Sequence, residues 1–362
     1  MTVQARQSST RGRDSTQRIY LNMAFVGQRV TGQQRFATEI SRRISAQSTV
    51  IPVFVPTRLR SRALRWLWVQ LVLPLKTWRG TLVSLTARAP LAHPRHVVVV
   101  HDLFPLTNPE WFSPLFAGVQ ATLLRAHLRF ARTIAVVSEP MAQEVRRRAR
   151  RGMDVVLVPN APSEIFLNRQ ESSSGLLERL KLVPEGYLLV VGSMDPRKNL
   201  PRIVEAYDAL SDDEKRALPL VVVGSGSDIF GDTHVEWPSS VIRAGYVRDD
   251  ELVDLYSNAR ATVFGSLAEG FGLPVVEAAA CGSPLLLSNI EVFRWLCGGT
   301  ATYFDPLSTA SIAGVLRLVL EATPQPEHVG LREVSSRFSW ERSADQLLDA
   351  VAGPVTVGSR VG

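Results

Sequence analysis

The segment from residue 269 to residue 284, EGFGLPVVEAAACGSP, places two carboxylates eight residues apart around two glycines and a proline. Pro274 suits the first position of a helix, because its missing N–H would find no intrahelical acceptor there. Gly270 and Gly272 allow backbone amides to approach a ligand, and a helix N-terminus attracts phosphate. Glu277 tilts back toward that N-terminus, where a ribose diol suits its carboxylate better than phosphate does. The segment predicts a site for a phosphorylated ligand, with Glu269 at its far end.

The rest of the chain alternates short apolar runs with helical patterns, on both sides of a polar, serine-rich segment that starts at Asn160. Continuous apolar runs are typical of strands buried on both faces of a parallel sheet. The alternation predicts an α/β fold with two doubly wound, Rossmann-like parallel sheets. The predicted strands are YLNMAF, VIPVFV, TLVSL, HVVVVHD, TIAVVS, DVVLVP, YLLVVG, LPLVVVG, VIRAG, ATVFGS, SPLLLS and ATYF. The predicted helices cover Gln33–Ala46 and Pro114–Phe130 or begin near Ser138, Leu200, Asp249, Pro274 and Ser308.

We expect four parts in the chain. Residues 1–16 are polar and basic without an apolar core segment, which predicts a disordered tail and neither a signal peptide nor a membrane span. Residues 17–165 and 166–336 would form the two domains, and residues 337–362 a C-terminal helix that crosses back to the first domain, with a flexible tail. Cys281 and Cys297 are too few for a disulfide framework, which favours a reducing compartment, the cytoplasm.

Ligands of open α/β sheets bind outside the carboxyl ends of the strands. Several chemically useful residues fall in loops at such ends. If the two domains face each other, these loops line one cleft. The loops contain Thr31 and Gly32, His101 and Asp102, residues 192–199 (GSMDPRKN), residues 224–226 and residues 269–272.

The combination of GSMDPRKN, VVVGSGS, the run from GYVRDDEL to EGFGLPVVEAAACGSPLLLSN, and YFDP resembles the retaining glycosyltransferases of family 4, which have the GT-B fold. NMAFVGQRVTGQQRFATEI and HDLFPLTNPEWF resemble the mannosyl- and rhamnosyltransferase-like branch of bacterial polysaccharide synthesis. The resemblance covers Ile19 to Trp340 and implies an acceptor-side first domain and a nucleotide-sugar-binding second domain around a central cleft. It implies transfer of mannose or rhamnose, from GDP-mannose or dTDP-rhamnose, to a glycan or a polyprenyl-diphosphate-linked oligosaccharide.

The resemblance also implies roles for single residues. Glu269 and His101 would contact the transferred sugar, Glu277 would bind ribose, and Lys198 would neutralise the leaving diphosphate. The remaining donor-binding residues that the resemblance implies are Gly32, Gly192, Ser193, Gly224, Tyr246, Val247, Gly270, Phe271, Gly272 and Leu273. Tyr246 and Val247 fall where the backbone reads the base, and the amides of residues 271–273 would meet the sugar and diphosphate.

One position departs from the family pattern. Ser193 stands where many relatives have an arginine that clamps the diphosphate with the lysine. Arg197 lies beside Lys198, but adjacent residues cannot easily point the same way, and Pro196 restricts this loop further. We therefore expect Lys198 to be the principal diphosphate cation. Arg197 would be secondary, pairing with Asp195 or reaching the phosphate when the cleft closes.

No metal or other cofactor is expected, because amides and cations can stabilise the leaving phosphate. No aspartate pair has the required spacing in a loop, and Pro94 interrupts the spacing of His93, His96 and His101. A dinucleotide oxidoreductase is disfavoured, since Ile229 stands where a third glycine is needed. A GT-B epimerase or phosphorylase and a non-catalytic nucleotide-sugar binder remain alternatives.

The net charge of +7 favours an anionic partner without identifying it. No aromatic interleaving or known module supports nucleic acid. The run RRRARR at residues 146–151 predicts a solvated helix end or a contact with anionic lipid. The apolar centre of the segment Arg58–Gly80 is too short to span a bilayer. The segment predicts either an interfacial position at the inner membrane face or a helix packed on the first domain with its aromatics buried.

Overall fold

The computed structural model describes residues 18–28, 31–168, 175–224, 237–322 and 330–352. In this part of the chain a strand forms at every predicted apolar run, and all neighbouring strands pair in parallel. The prediction of two parallel α/β sheets is confirmed. The strands are β1 (Ile19–Asn22), β2 (Val50–Val53), β3 (Thr81–Ser84), β4 (His96–Val100), β5 (Thr133–Val136), β6 (Asp154–Leu157), β7 (Leu188–Val191), β8 (Leu220–Val223), β9 (Val241–Gly245), β10 (Ala261–Phe264), β11 (Leu285–Ser288) and β12 (Thr302–Phe304).

Helices connect the strands and cover both faces of each sheet. The predicted helix Pro114–Phe130 forms with these bounds, and Gln33–Ala46 forms as Gly32–Ile44. The α-helices are α1 (Gly32–Ile44), α2 (Arg62–Leu67), α3 (Leu73–Thr77), α4 (Phe104–Thr107), α5 (Pro114–Phe130), α6 (Glu139–Arg148), α7 (Glu164–Leu167), α8 (Leu176–Arg179), α9 (Leu200–Asp208), α10 (Asp212–Ala217), α11 (Asp249–Asn258), α12 (Leu273–Ala280), α13 (Glu291–Cys297), α14 (Thr309–Glu321), α15 (Leu331–Ser336) and α16 (Trp340–Ala352).

The order of the strands places one crevice in each sheet. The first sheet runs β2-β1-β3-β4-β5-β6, so the chain reverses its direction across the sheet between β1 and β3. The second runs β12-β11-β10-β7-β8-β9 and reverses between β7 and β10. Ligands of open α/β sheets bind at such reversals, outside the carboxyl ends of the strands. We therefore expect the functional site of the second sheet in the loops after β7 and β10.

The last helix returns to the first sheet's side of the molecule. Trp340 of α16 packs edge-on against Phe36 of α1, with 5.9 Å between ring centroids. Ser343 donates a hydrogen bond to the carbonyl of Pro159, and Arg43 of α1 pairs with Glu341. Helix α16 thus packs on α1 and on the loop after β6.

Within the segment Arg58–Gly80, α2, a π-helical stretch (Trp68–Val72) and α3 follow one another without a break. Trp68 and Leu73 are buried in a small cluster with Leu82 of β3, whereas Trp66 and Trp78 are exposed. The expectation of a helix packed on the first domain with its aromatics buried therefore holds for one tryptophan of the three. Within the described ranges, no helix combines the length and apolar character needed to cross a bilayer.

Some expectations fall outside the described residues. These are the disordered tail of residues 1–16, part of the serine-rich linker (169–174), the glycine-loop residues Ser225 and Gly226 with Ile229 (225–236), and the C-terminal tail (353–362).

Candidate active site

The reversal point of the second sheet carries an ion pair. Lys198 lies in the loop after β7 and Glu269 in the loop after β10, and the two strands are neighbours. Nζ of Lys198 lies 2.6 Å from Oε1 of Glu269, which also accepts a hydrogen bond from Ser266 at 2.7 Å. Burial raises the pKa of Glu269, but Lys198 and Ser266 outweigh it, so the pKa lies below its usual value. The site therefore presents an ionised carboxylate and an ammonium group side by side.

The glycine loop after Glu269 brings the two domains into contact. A Cβ at Gly270 would lie 2.0 Å from the carbonyl oxygen of His101 in the first domain, so only glycine fits this approach. Ser138, which caps α6 of the first domain, donates a 2.6 Å hydrogen bond to the Gly270 carbonyl. Gly272 has a φ of 91° and precedes α12, with Pro274 in the first turn. Helix α12 therefore starts next to the contact between the two domains.

His101 lies at the carboxyl end of β4, buried beside this loop. Its Nε2 lies 2.9 Å from the carbonyl oxygen of Leu85. Because a carbonyl only accepts, Nε2 carries the ring proton of the neutral imidazole and Nδ1 keeps its lone pair. Burial lowers the pKa of His101 to about 4. The ring is therefore neutral at physiological pH and suits contact and hydrogen bonding better than acid catalysis.

The guanidinium group of Arg197 already has partners within the protein. It pairs with buried Asp195, with 2.9 Å from Nε to Oδ2, and its charge lies 5.0 Å from the ring centroid of Phe104 in the first domain. Asp102, whose Oδ1 accepts a hydrogen bond from the amide of Phe104, also interacts electrostatically with Arg197. Arg197 thus makes an interdomain contact, while Lys198 points to Glu269.

Glu277 is buried in α12 and meets a cation from the first domain. Nη1 of Arg35, in α1, donates to Oε1 of Glu277 at 2.9 Å. Nη2 of the same guanidinium binds both oxygens of Asp249, at 3.0 and 2.9 Å. Burial raises the pKa of Glu277 to about 7, against the opposing effect of Arg35. The second carboxylate of the opening motif is therefore a buried, paired group.

Residues 178–331 match the family described as Glycosyl transferases group 1. The chain carries a group 1 glycosyltransferase domain. The matched range includes the loop with Lys198, the loop with Glu269 and the helix with Glu277. The expectation that this chain is a glycosyltransferase is confirmed.

Several curated proteins are similar to this chain in sequence. It is 29% identical to O-antigen chain mannosyltransferase B of Escherichia coli over 268 residues, covering 71% of this chain and 70% of that protein. It is 30% identical over 262 residues to the serotype-specific mannosyltransferase WbdA of Escherichia coli, covering 68% of this chain and 32% of WbdA. The chain thus spans about a third of the length of WbdA.

Solved structures resemble the glycosyltransferase in fold. The structure of Anabaena Alr3699/HepE in complex with UDP-glucose matches with a TM-score of 0.70 at 15% identity, over 93% of this chain and 100% of that one. WaaG, a glycosyltransferase involved in lipopolysaccharide biosynthesis, matches with a TM-score of 0.69 at 15% identity, over 93% and 100% of the two chains. The predicted GT-B fold is confirmed.

The remaining predicted donor-binding residues of the glycosyltransferase lie in loops at the carboxyl ends of the strands. Gly192 and Ser193 follow β7, and Gly224 follows β8. Val247 is buried and Tyr246 is exposed, both directly after β9. The side chain of Phe271 is buried against Phe338. Leu273 opens α12, and Gly32 opens α1 across the cleft.

Sequence reasoning missed three residues that the structure places at the site: Arg35, Ser138 and Ser266. Arg35 and Ser138 act across the domain boundary, on partners far away in the sequence, and no local spacing signals such a contact. Ser266 lies only three residues before Glu269, close enough for its proximity in the sequence to have suggested the hydrogen bond.

Among the residues that the structure describes, no three histidine, cysteine, aspartate or glutamate side chains gather as a metal site requires. His93 and His96 have ring centroids 6.2 Å apart, but their ring nitrogens meet the Thr77 carbonyl and the Ser84 hydroxyl. His101 meets a different carbonyl. The three histidines are therefore engaged with protein groups and do not converge on one point.

Proposed function

We propose that this glycosyltransferase transfers mannose from GDP-mannose to a growing surface polysaccharide, with retention of anomeric configuration and without a metal ion. We choose mannose over rhamnose as the transferred sugar because the chain is similar to mannosyltransferases of O-antigen chains. The observation that carries the proposed chemistry is the Lys198–Glu269 pair at the sheet reversal, beside the start of α12.

The leaving diphosphate is the group that needs most stabilisation. Cleavage of the bond between sugar and phosphate leaves negative charge on the phosphate, which preorganised cations and amides stabilise. Lys198 supplies the cation, and the amides at the start of α12 supply donors at the positive end of a helix. These groups do without a metal what a divalent ion does in other transferases.

The sugar side of the reaction develops positive charge. The ionised carboxylate of Glu269 is suited to stabilise that charge, and neutral His101 can contact the sugar through Nδ1. Because Glu269 is paired with Lys198 and bonded to Ser266, it is a weakened nucleophile. We therefore propose that the acceptor hydroxyl oxygen bonds to the anomeric carbon on the face from which the diphosphate leaves, while the bond from that carbon to the phosphate oxygen breaks. The hydroxyl proton passes to the departing phosphate oxygen, and no covalent glycosyl-enzyme forms.

A transfer assay with GDP-mannose and a mannose-terminated acceptor tests this function. We expect mannose transfer in the presence of EDTA and an α-linked product, identified by NMR from the one-bond coupling between the anomeric carbon and its proton. Transfer from dTDP-rhamnose alone would overturn the donor. An inverted product or full dependence on divalent metal would overturn the mechanism. Binding without transfer would favour a nucleotide-sugar binder, and an isomerised or phosphorolysed sugar would favour an epimerase or phosphorylase.

We further propose that the acceptor is lipid-linked and that the segment Arg58–Gly80 contacts the inner membrane face. Its exposed apolar side chains form a surface, here called the apolar face: Leu64, Trp66, Leu67, Leu71, Leu75 and Trp78. Exposed apolar groups of this size flanked by arginines suit the headgroup region of a bilayer. By contrast, Arg146, Arg147 and Arg148 of the basic run pair with Glu139 and Glu144, as a solvated helix end would.

Arg88 adds a cation that has no acidic partner among the described residues. It lies in the loop after β3, and burial together with the charges of Arg65 and Arg62 lowers its pKa. Gln70 joins this loop to the apolar face through hydrogen bonds to the backbone of Ala89 and Leu91. Within the described ranges, no carboxylate pairs with any of these three arginines. Three adjacent cations without an acidic partner suit lipid phosphate.

Flotation with vesicles of anionic and of neutral lipid tests the membrane contact. We expect salt-sensitive binding to anionic vesicles that Arg88→Gln weakens about fivefold and Trp66→Ser with Trp78→Ser weakens further. Arg147→Gln, which removes a paired arginine, and Leu318→Ser, which removes an exposed leucine of the second domain, are the controls. Equal loss in the controls, or no binding by the wild type, would remove this surface from the account.

A further inference from the structure

The interdomain contact of Arg35 is the feature that the proposed chemistry does not use. Its guanidinium bridges two carboxylates of the second domain: Glu277 in α12 and Asp249, the first residue of α11. Asp249 follows the loop with Tyr246 and Val247, which is expected to read the base, and Glu277 is expected to bind the ribose. One arginine of the first domain therefore holds both parts of the nucleoside site.

The geometry of Glu277 leaves one oxygen available. Arg35 donates to Oε1, and in the described part of the chain no hydrogen bond reaches Oε2. A carboxylate has acceptor capacity on both oxygens, so one can stay with the guanidinium while the other accepts from a ligand hydroxyl. Arg35 itself is held by Ser163, at 3.4 Å, and by the ring of Phe166, 5.9 Å from its charge. The bridge is thus a fixed part of the cleft wall.

We propose that Arg35 is a positioning residue for the donor: it holds Oε1 of Glu277 and leaves Oε2 to accept from the ribose. This inference rests on the proposed nucleotide-sugar site. A guanidinium suits the task because its planar fork serves two carboxylates at once, which the ammonium of lysine does less well. Donor binding and the relative position of the domains are then coupled through one side chain.

The charge of Glu277 depends on its neighbours. Besides Arg35, the titratable groups around it are Asp249, which raises its pKa, and buried Tyr256 of α11, which interacts electrostatically with it and with Cys281. Burial places the pKa of Glu277 at about 7, with Arg35 as the opposing cation. Loss of Arg35 would therefore raise this pKa further and leave a protonated, weaker acceptor at neutral pH.

The first test needs no donor. Carboxyl carbons of ¹³C-labelled glutamate are followed by NMR against pH, with Glu277→Gln to assign the signal. We expect the Glu277 midpoint to rise by at least about one pH unit in Arg35→Met and to return part of the way in Arg35→Lys. Arg43→Met is the matched control, since Arg43 lies on the same helix and pairs with Glu39 and Glu341 instead. An unmoved midpoint in Arg35→Met would overturn the proposal.

The second test measures affinity for GDP-mannose by calorimetry between about pH 6 and 9. A nucleotide-sugar is used because both of its phosphates are esterified and lack the titration of a terminal phosphate. We expect Arg35→Met to bind about tenfold more weakly than wild type at pH 7 and to recover only part of that loss at pH 9, where Glu277 is ionised again but still lacks the guanidinium that holds Oε1. A loss independent of pH would show a merely structural role and overturn the proposal. Failure of the wild type to bind would overturn the proposed donor, while the carboxyl titration would still decide the role of Arg35.

Discussion

The two domains differ in how their charged side chains are paired. In the second domain, Lys198 pairs with Glu269, Arg197 with Asp195, and Glu277 with an arginine from across the cleft. In the first domain, Arg62, Arg65 and Arg88 interact electrostatically, and none of them has an acidic partner among the described residues. The charged groups in these loops of the second domain are thus paired before any ligand arrives, whereas the segment Arg58–Gly80 and the loop after β3 of the first domain present cations and exposed apolar groups.

The largest effect is expected at Lys198. Removing the leaving-group cation by Lys198→Ala should lower transfer at saturating donor by at least about a hundredfold. Arg197→Ala should cost clearly less, because that guanidinium is held by Asp195 and stacks near Phe104. Turnover of both variants checks this order. A greater loss in Arg197→Ala would mean that Arg197 leaves Asp195 for the phosphate and replaces the arginine absent at Ser193.

Glu277→Ala should weaken donor binding by on the order of 1 to 3 kcal/mol, because it removes a charge-assisted hydrogen bond to the ribose. Calorimetry with the nucleoside diphosphate measures the change. Glu251→Ala is a useful comparison, since Glu251 is a buried carboxylate of the same domain that pairs with Arg179. Equal affinity of wild type and Glu277→Ala would refute the ribose assignment.

Gly270→Ala tests the contact between the two halves. The added Cβ would meet the His101 carbonyl at 2.0 Å, so the loop or the domains must shift. We expect a loss of about 1 to 3 kcal/mol in unfolding free energy and a fall in transfer. Gly314→Ala is the control, because a Cβ there meets nothing within 4 Å and alanine favours a helix. Wild-type stability and activity in Gly270→Ala would show that the domains do not meet as described.

The smallest effect concerns buried histidines outside the site. Burial lowers the pKa values of His93, His96 and His127. The folded state keeps them neutral, so the unfolded state binds more protons below about pH 6.5, and stability is lost as the pH falls from there. His127→Gln, which can still donate to the Pro90 carbonyl, should reduce this acid loss by about 1 kcal/mol. Denaturant unfolding at pH 7 and pH 5 measures it, and an unchanged loss would contradict it.

The sequence predicted the strands and helices better than it predicted contacts between residues far apart in the chain. Buried strands such as β4 and β10 are continuous apolar runs, and the proline and glycines before α12 mark its start, so both were readable locally. The bridge from Arg35 to Glu277 spans 242 residues and follows from how two domains meet. No local sequence pattern encodes how the two domains pack against each other. For the same reason, the sequence suggested hydroxyl binding by Glu277 but not its arginine partner.

We propose that the ion pair at the sheet reversal is the catalytic centre. Glu269→Gln keeps the size of the side chain and its hydrogen bond from Ser266 but removes the charge opposite Lys198. Steady-state transfer from GDP-mannose by wild type and Glu269→Gln tests the claim most directly. We predict that kcat falls at least about tenfold while donor affinity changes little, since the charge acts on the transition state. Wild-type kcat in Glu269→Gln would contradict the account.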